Sequence, residues 1–426
     1  MTVLAGVRVL DFTEYIAGPY GTMILGDLGA DVIKVEPPEG DRWRQGQFYA
    51  PYESRNNLSL NRSKRSIALD LGTEEGKAIV YALAQTSDVA VHNFRPGVAE
   101  RLGIAYETLA AMNPRLIYLH NTAFGPEGPL AYRGGYDILS QAGAGFLTGP
   151  VARVENGRLT GSPGIAIGDM SAAMYSALAI CAALFERERS GLGQRIDISL
   201  LISGLAVQTG RFFSVEQVDR APREEFLERL RARRAEGSIS FQEMLDLRPG
   251  PRVAQAGAVA IYFRAFETRD APIAVACLND RLRRRCAEVI GVKDPRFEDP
   301  NYNPQDPLYQ EKARQVTEEA EAIMRAKTRD EWYELFDAAD VPCGPVNFIE
   351  EMFDDPQVLA NDYVVEVEHA VLGVIKMGGP PFAFQRTPLS IERASPALSQ
   401  HADEILAELG YTETQVAALR AQKVVR

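Results

Sequence analysis

Three short stretches carry side chains suited to chemistry on an anionic substrate. Gly168-Asp169-Met170 stands between an apolar run, Ile165–Ile167, and a long stretch of Ala, Ser and Leu with helical spacing. A carboxylate at that point reads in two ways. As an N-cap, Asp169 accepts backbone N–H bonds; as a nucleophile it is ionised at neutral pH and accompanied by amides that stabilise an oxyanion. Asn61-Arg62-Ser63-Lys64-Arg65-Ser66 precedes a β-rich run, and Asn93-Phe94-Arg95-Pro96-Gly97 follows one. Cations and backbone donors suit phosphates. Arg62, Lys64 and Arg95 are therefore candidates for holding a phosphate-bearing ligand, with solvated turns as the plain alternative.

Other features narrow the chemistry. Gly18, Gly21, Gly26 and Gly29 lead into a run ending at Glu36, as in a dinucleotide fold. Their spacing is not GxGxxG and Pro19 lies in the turn, which leaves nicotinamide binding as the weaker alternative. Cys181, Cys277, Cys286 and Cys343 form no CxxC, so neither a zinc site nor a disulfide framework is expected. Lys and Arg number 46 against 58 Asp and Glu, a formal charge of -12, which argues against a nucleic-acid partner. Residues 1–30 lack a signal-peptide pattern, and the apolar run Ser171–Phe185 falls short of the roughly 20 residues of a bilayer span. A cytoplasmic protein without a membrane partner is expected.

The elements that must position these residues follow from periodicity. The β-rich runs Val7–Phe12, Val32–Glu36, Ile67–Leu71, Val89–Phe94 and Leu116–His120 alternate with helical stretches at Gly18–Gly29, Thr73–Thr86 and Val98–Met112. That alternation predicts a doubly wound α/β domain around a parallel sheet, with ligands gathered outside the strand carboxyl ends, where Asn93–Gly97 falls. A chain of 426 residues, 46% hydrophobic, has room for a second domain. We read 1–204 as the large domain, 205–255 as a charged linker, 256–360 as a smaller α+β domain, 361–390 as a return linker and 391–426 as a helical C-terminal part. Within the return linker, Val364–His369 and Val374–Met377 predict a hairpin.

The ordered combination of Val9-Leu10-Asp11-Phe12, Ala17-Gly18-Pro19, Gly29–Glu36, Asn93–Gly97, Gly168-Asp169, Cys343-Gly344-Pro345-Val346, Asp355–Val358 and Gln400–Glu404 resembles the class III CoA-transferase family, which also contains α-methylacyl-CoA racemases. The resemblance spans nearly the whole chain. It implies a Rossmann-like large domain built from the N-terminal half and the C-terminal tail, and two chains interlocked as a homodimer. It carries the nucleophilic role to Asp169 and contacts with coenzyme A to Leu69, Asn93, Phe94, Arg101 and Tyr136. Ile16 joins the expected site where formyl-CoA transferases of the family have glutamine; Gly72 and Gly134 stand where they have lysines, and no glycine run near 250–260 matches their mobile loop. The implied reaction moves CoA from an acyl-CoA to a small carboxylic acid, with no permanently bound cofactor and no metal. The alternatives are a 2-methylacyl-CoA racemase, disfavoured because Gly134–Asp137 stands where racemases have a histidine, and a non-catalytic CoA-binding subunit of a hetero-oligomer.

Overall fold

Val9 and Leu10, adjacent in the first strand, point to opposite faces of one sheet, and each meets a different layer of helices. The structure, a computed structural model, describes residues 2–46, 48–149, 152–155, 158–160, 164–237, 239–248, 259–304 and 306–426; most of the stretch near 250–260 that was expected to lack a glycine loop lies outside them. Six parallel strands make the sheet: β1 (Arg8–Asp11), β2 (Asp31–Glu36), β3 (Lys64–Ala68), β4 (Val89–His92), β5 (Ile117–Thr122) and β6 (Arg195–Ser199). Their order is β3-β2-β1-β4-β5-β6, the doubly wound order that reverses between β1 and β4.

Among the helices of this part are α1 (Ala17–Asp27), α2 (Glu74–Gln85), α3 (Val98–Leu102), α4 (Tyr106–Met112), α5 (Asp137–Gly143), α6 (Ile167–Ser190) and α7 (Leu200–Val207). Ile24 and Leu25 of α1 and Ala177 and Ile180 of α6 cover the face presenting Val9, Val32, Val89 and Ile117. Ile79 and Leu83 of α2, with Ala99 and Leu109, cover the other face, where Leu10, Ile33, Ile67 and Tyr118 lie. Thr73 starts α2 by accepting the Gly76 N–H at 3.0 Å. At 24 residues α6 extends beyond the apolar run read from sequence and is long and apolar enough by composition to cross a membrane. Half of its most apolar window is nonetheless buried inside the protein.

The chain divides into two compact units, Met1–Ser214 with Leu359–Arg426, and Val215–Val358. Much of the expected 205–255 linker is helix α8 (Glu216–Ala235), which has no buried residue and belongs to the second unit. That unit has an antiparallel sheet, β7 (Phe263–Phe266), β8 (Ile273–Ala276) and β9 (Cys343–Pro345), beside helices α9 (Asp280–Ile290), α10 (Pro307–Met324) and α11 (Arg329–Ala338). Trp332 and Phe336 anchor its core, and Trp332 donates its indole N–H to the Met324 carbonyl at 2.8 Å.

The chain then returns to the first unit. Strands β10 (Val364–His369) and β11 (Gly373–Gly378) pair as a hairpin within the expected return linker. Helices α12 (Ala402–Glu408) and α13 (Glu413–Ala421) place Ile405, Leu406, Val416 and Leu419 in the core over Leu10 and Ile67. The Asp70 N–H donates to the Val424 carbonyl at 2.9 Å, so the last residues lie beside the end of β3.

Arg62 and Lys64, expected at a ligand phosphate, are instead spent inside this unit. Arg62 Nη2 meets Asp27 at 2.7 Å. Lys64 Nζ donates to Asp11 at 2.8 Å, to the Pro19 carbonyl at 2.9 Å and to Asn61 at 2.8 Å. Burial would raise the Asp11 pKa, but Lys64 and Lys34 overcome that and hold it well below the carboxylate range. Burial lowers Lys64 to about 8. A sequence shows that cations cluster; it does not show that carboxylates from β1 and α1 are folded against them. Removing one partner of a buried pair leaves the other charge uncompensated, so Lys64→Met should lower unfolding stability by about 3–5 kcal/mol. The urea midpoint measures this, and the affinity of the folded fraction for CoA should be unchanged.

Candidate active site

Where strand order reverses, the chain leaves β1 and β4 toward opposite faces and opens a crevice at their carboxyl ends. The segments leaving those two strands line it. A cleft of about 410 Å³ is bounded by Glu14, Tyr15 and Ala17 after β1, Asn93–Pro96 after β4, Asn121–Ala123 at the carboxyl end of β5, and by Arg42, Arg133, Tyr136, Asp169 and Leu200. A second, of about 650 Å³, shares Glu14, Arg42, Phe94 and Val98 with it and continues past Pro37–Gly40, Leu69–Gly72 and Arg101. Both volumes suit a small-molecule site.

Asp169 is not the N-cap of its helix. α6 begins at Ile167 with Ala166 at the cap, which puts Asp169 within the first turn. The capping carboxylate comes from another helix: Asp137 Oδ1 accepts the N–H groups of Gly168 at 2.8 Å and Asp169 at 3.1 Å. These amides are thereby occupied, so the oxyanion donors expected at the helix start are already engaged. A Cβ on Gly168 would lie 2.8 Å from Ser140 Oγ and 2.9 Å from Asp137 Oδ1, so either side chain would have to shift to admit it. Burial and the facing Asp137 carboxylate together raise the Asp169 pKa to about 7. They outweigh the helix-start field, which favours the anion.

The loops around Asp169 are tied down by polar clamps. Asn93 accepts the Glu14 N–H at 2.9 Å and donates to the Glu14 carbonyl at 2.7 Å; it lines the cleft but both ends of its amide are engaged on the neighbouring loop. The next residue, Tyr15, has φ 67°, a left-handed conformation uncommon for a bulky residue. Its ring lies 5.5 Å from Tyr136 and 5.6 Å from Trp43. Beneath Phe94, the rings of His92 and His120 stack at 4.3 Å. His92 Nδ1 accepts the Phe94 N–H at 3.3 Å, and His120 Nε2 meets the Phe94 carbonyl at 3.2 Å. Burial lowers both histidine pKa values, and His120 lowers that of His92 further. Arg95 crosses Gly134, where a Cβ would meet its Nε at 2.1 Å.

Arg42, Arg95 and Arg133 line the first cleft, and Arg42 and Arg101 the second. None forms an ion pair with a described residue, whereas Arg44, Arg62, Arg65 and Arg187 are all paired. Two adjoining clefts with four guanidinium groups between them, none paired with a described residue, in a chain of net charge -12, suit a polyanion. Among the described residues no group of three His, Cys, Asp or Glu is placed to hold a metal.

The model of CoA-transferase family III matches residues 4–402. The chain belongs to that family. It is similar to the human succinyl-CoA:glutarate CoA-transferase, at 32% identity over 99% of this chain and 90% of that protein. The succinate--glutarate CoA-transferase of Agrobacterium fabrum is 34% identical over 95% of both chains. A crystal structure of a CAIB/BAIF family protein from Brucella suis superposes with a TM-score of 0.73 at 30% identity, covering 96% of this chain and 99% of that one. The chain is thus an enzyme of the CoA-transferase class, a class whose substrates are CoA thioesters.

Of the residues expected at a CoA-transferase site, Asp169, Asn93, Phe94, Arg95 and Tyr136 line the first cleft, and Leu69, Phe94 and Arg101 the second. Ile16 caps α1 between two lining residues and is not itself part of the wall. Asp137, Asn121, Arg42, Arg133 and Glu14 were not expected. Asp137 carried a local signal, an acidic residue opening a helix after Gly134-Gly135-Tyr136, but its partner lies more than one element away. If Asp169 acts as an anion, its reaction with an acyl-CoA should rise with pH to a plateau, half-maximal near pH 7. Asp137→Asn keeps an oxygen for the two amides and removes the facing charge. The midpoint, read by stopped-flow rates across pH, should therefore move to lower pH.

Proposed function

We propose that this enzyme transfers CoA between two carboxylic acids with Asp169 as the covalent carrier. The observation that carries the reading is a half-buried carboxylate of raised pKa in a cleft of unpaired arginines. The Asp169 carboxylate attacks the thioester carbon, CoA thiolate leaves, and a mixed anhydride forms. The thiolate attacks the Asp169 carbonyl, releasing the donor acid and leaving an aspartyl-CoA thioester. An acceptor carboxylate then attacks that thioester, and the thiolate attacks the acceptor's acyl carbon, restoring Asp169. Splitting one exchange into such steps is the use of covalent catalysis, and it conserves the thioester without another energy source. In this reading Arg101, with Leu69 and Phe94 in the second cleft, holds the CoA moiety, and Arg42, Arg95 and Arg133 suit acids with a second carboxylate. The dicarboxylic acids in the names of the human and Agrobacterium relatives support that substrate class.

The acting form we propose is a homodimer, interlocked as the family resemblance implies. Met174, Leu178 and Phe185 form an apolar stripe along α6 at four- and seven-residue spacing, exposed at 53%, 65% and 69%, and such a stripe suits a partner surface. Sedimentation of the wild type should give a dimer, and Leu178→Asp with Phe185→Asp should shift it toward monomer.

The covalent step is tested by incubating the enzyme with a dicarboxylic acyl-CoA and no acceptor. A CoA-modified peptide containing Asp169, and not Glu14, the other lining carboxylate, is the expected product. Asp169→Asn should fold, lose nearly all transfer, and be more stable than wild type at pH 8. The sign follows from linkage: a carboxyl with a raised folded pKa costs stability as pH rises from its unfolded value toward about 7, and the amide carries no such charge. Substantial transfer by Asp169→Asn, with no adduct in the wild type, would reject the mechanism.

A further inference from the structure

Asn121 is an unpaired polar group in the wall of this site. It is the penultimate residue of β5, with its backbone in register with Ile198 of β6. The residue is 2% exposed, yet neither Nδ2 nor Oδ1 has a hydrogen-bond partner among the described residues. Side chains alternate along a strand: His120 faces His92 and Phe94, while Asn121 falls on the other face with Ile117 and Leu119, toward α1 and α6. There it borders the cleft that contains Asp169. An amide buried without partners is costly and rare in folded proteins. A valine or leucine would fill the same wall at no such cost, so the amide points to a ligand group.

The chemistry of that group follows from the shape of the amide. Its donor and acceptor lie side by side, so a ligand that satisfies both presents an acceptor and a donor next to each other. A bare carboxylate or a thioester carbonyl accepts only, and a methylene chain does neither. A hydroxyl beside a carboxyl carbon supplies both. We propose that Asn121 reads the acid handled at Asp169 and selects acids with a hydroxyl on the carbon next to the reacting carboxyl. The acid's carboxyl oxygen accepts from Nδ2, and its hydroxyl donates to Oδ1. This rests on the reading of Asp169 as the CoA carrier. Sites built to hydrogen-bond a substrate hydroxyl reject the analogue lacking it, because the buried group is then left unpaired.

The test compares two pairs of acceptors equal in length and charge, malate with succinate and 2-hydroxyglutarate with glutarate, in the wild type and in Asn121→Leu and Asn121→Val. The donor is whichever dicarboxylic acyl-CoA labels Asp169 in the absence of acceptor. In the wild type the hydroxy acid of at least one pair should exceed its deoxy partner in kcat/KM by about tenfold or more. Either apolar variant should bring that ratio near unity, chiefly by losing the hydroxy acid, while labelling of Asp169 persists. Two variants of different volume guard against one that fails to fold. Equal use of hydroxy and deoxy acids by the wild type, or a preference that survives both substitutions, would overturn the role of Asn121 and leave a buried water as its partner. Labelling that none of the four acids discharges would overturn it too. Absence of Asp169 labelling by any donor would instead overturn the parent reading.

Discussion

The site depends on a divergence of the backbone. β1 and β4 are neighbours in the sheet, but the segments that follow them part to opposite faces, which opens a crevice beyond their carboxyl ends. Glu14 and Tyr15 come from one segment, Phe94 and Arg95 from the other. Asn93 bridges them through its two bonds to Glu14, which holds the crevice open at a set width. The left-handed backbone of Tyr15 is part of the same turn, and the ring contacts to Tyr136 and Trp43 hold it in place.

Charge is sorted by depth. Beneath the carboxyl edge of the sheet every cation described above has an acidic partner: Lys64 with Asp11, Lys34 with Asp41, Arg44 with Glu36. The first pair ties β3 to β1, and the other two tie β2 to the loop through residues 37–45. Along the two clefts above, Arg42, Arg95, Arg101 and Arg133 form no ion pair with a described residue. An acidic protein thereby presents a local positive wall to an anion, since net charge describes the whole surface and not one concave part of it.

Asp169 and Asp137 show how one residue serves folding and chemistry together. Asp137 satisfies amides that the start of α6 would leave open, and its charge at the same place disfavours ionisation of Asp169. The carboxyl is thereby held near its titration midpoint at neutral pH. In the mechanism we propose, Asp169 attacks once as a nucleophile and departs once as a leaving group in each cycle, and a pKa near neutrality serves both.

The doubly wound layout, most strand runs and the hairpin at 364–378 were legible from the chain, while the run expected at Ile67–Leu71 is a strand that begins earlier, at Lys64. Each is set by local periodicity or by a short motif at a strand or helix end. Arg62 and Lys64 were misread because cation clusters look alike whether they face water or a buried carboxylate brought from a distant strand. Asn121 gave no sign, since an Asn near a strand end is ordinary until its neighbours are known to be apolar. The same holds for Asp137, whose function appears only when α5 is laid against the start of α6. What a sequence determines by itself is the type and spacing of side chains along each element. Which of them share a wall, which charges are neutralised and which polar groups are left open depends on contacts between residues far apart in the chain, and only the tertiary structure decides those.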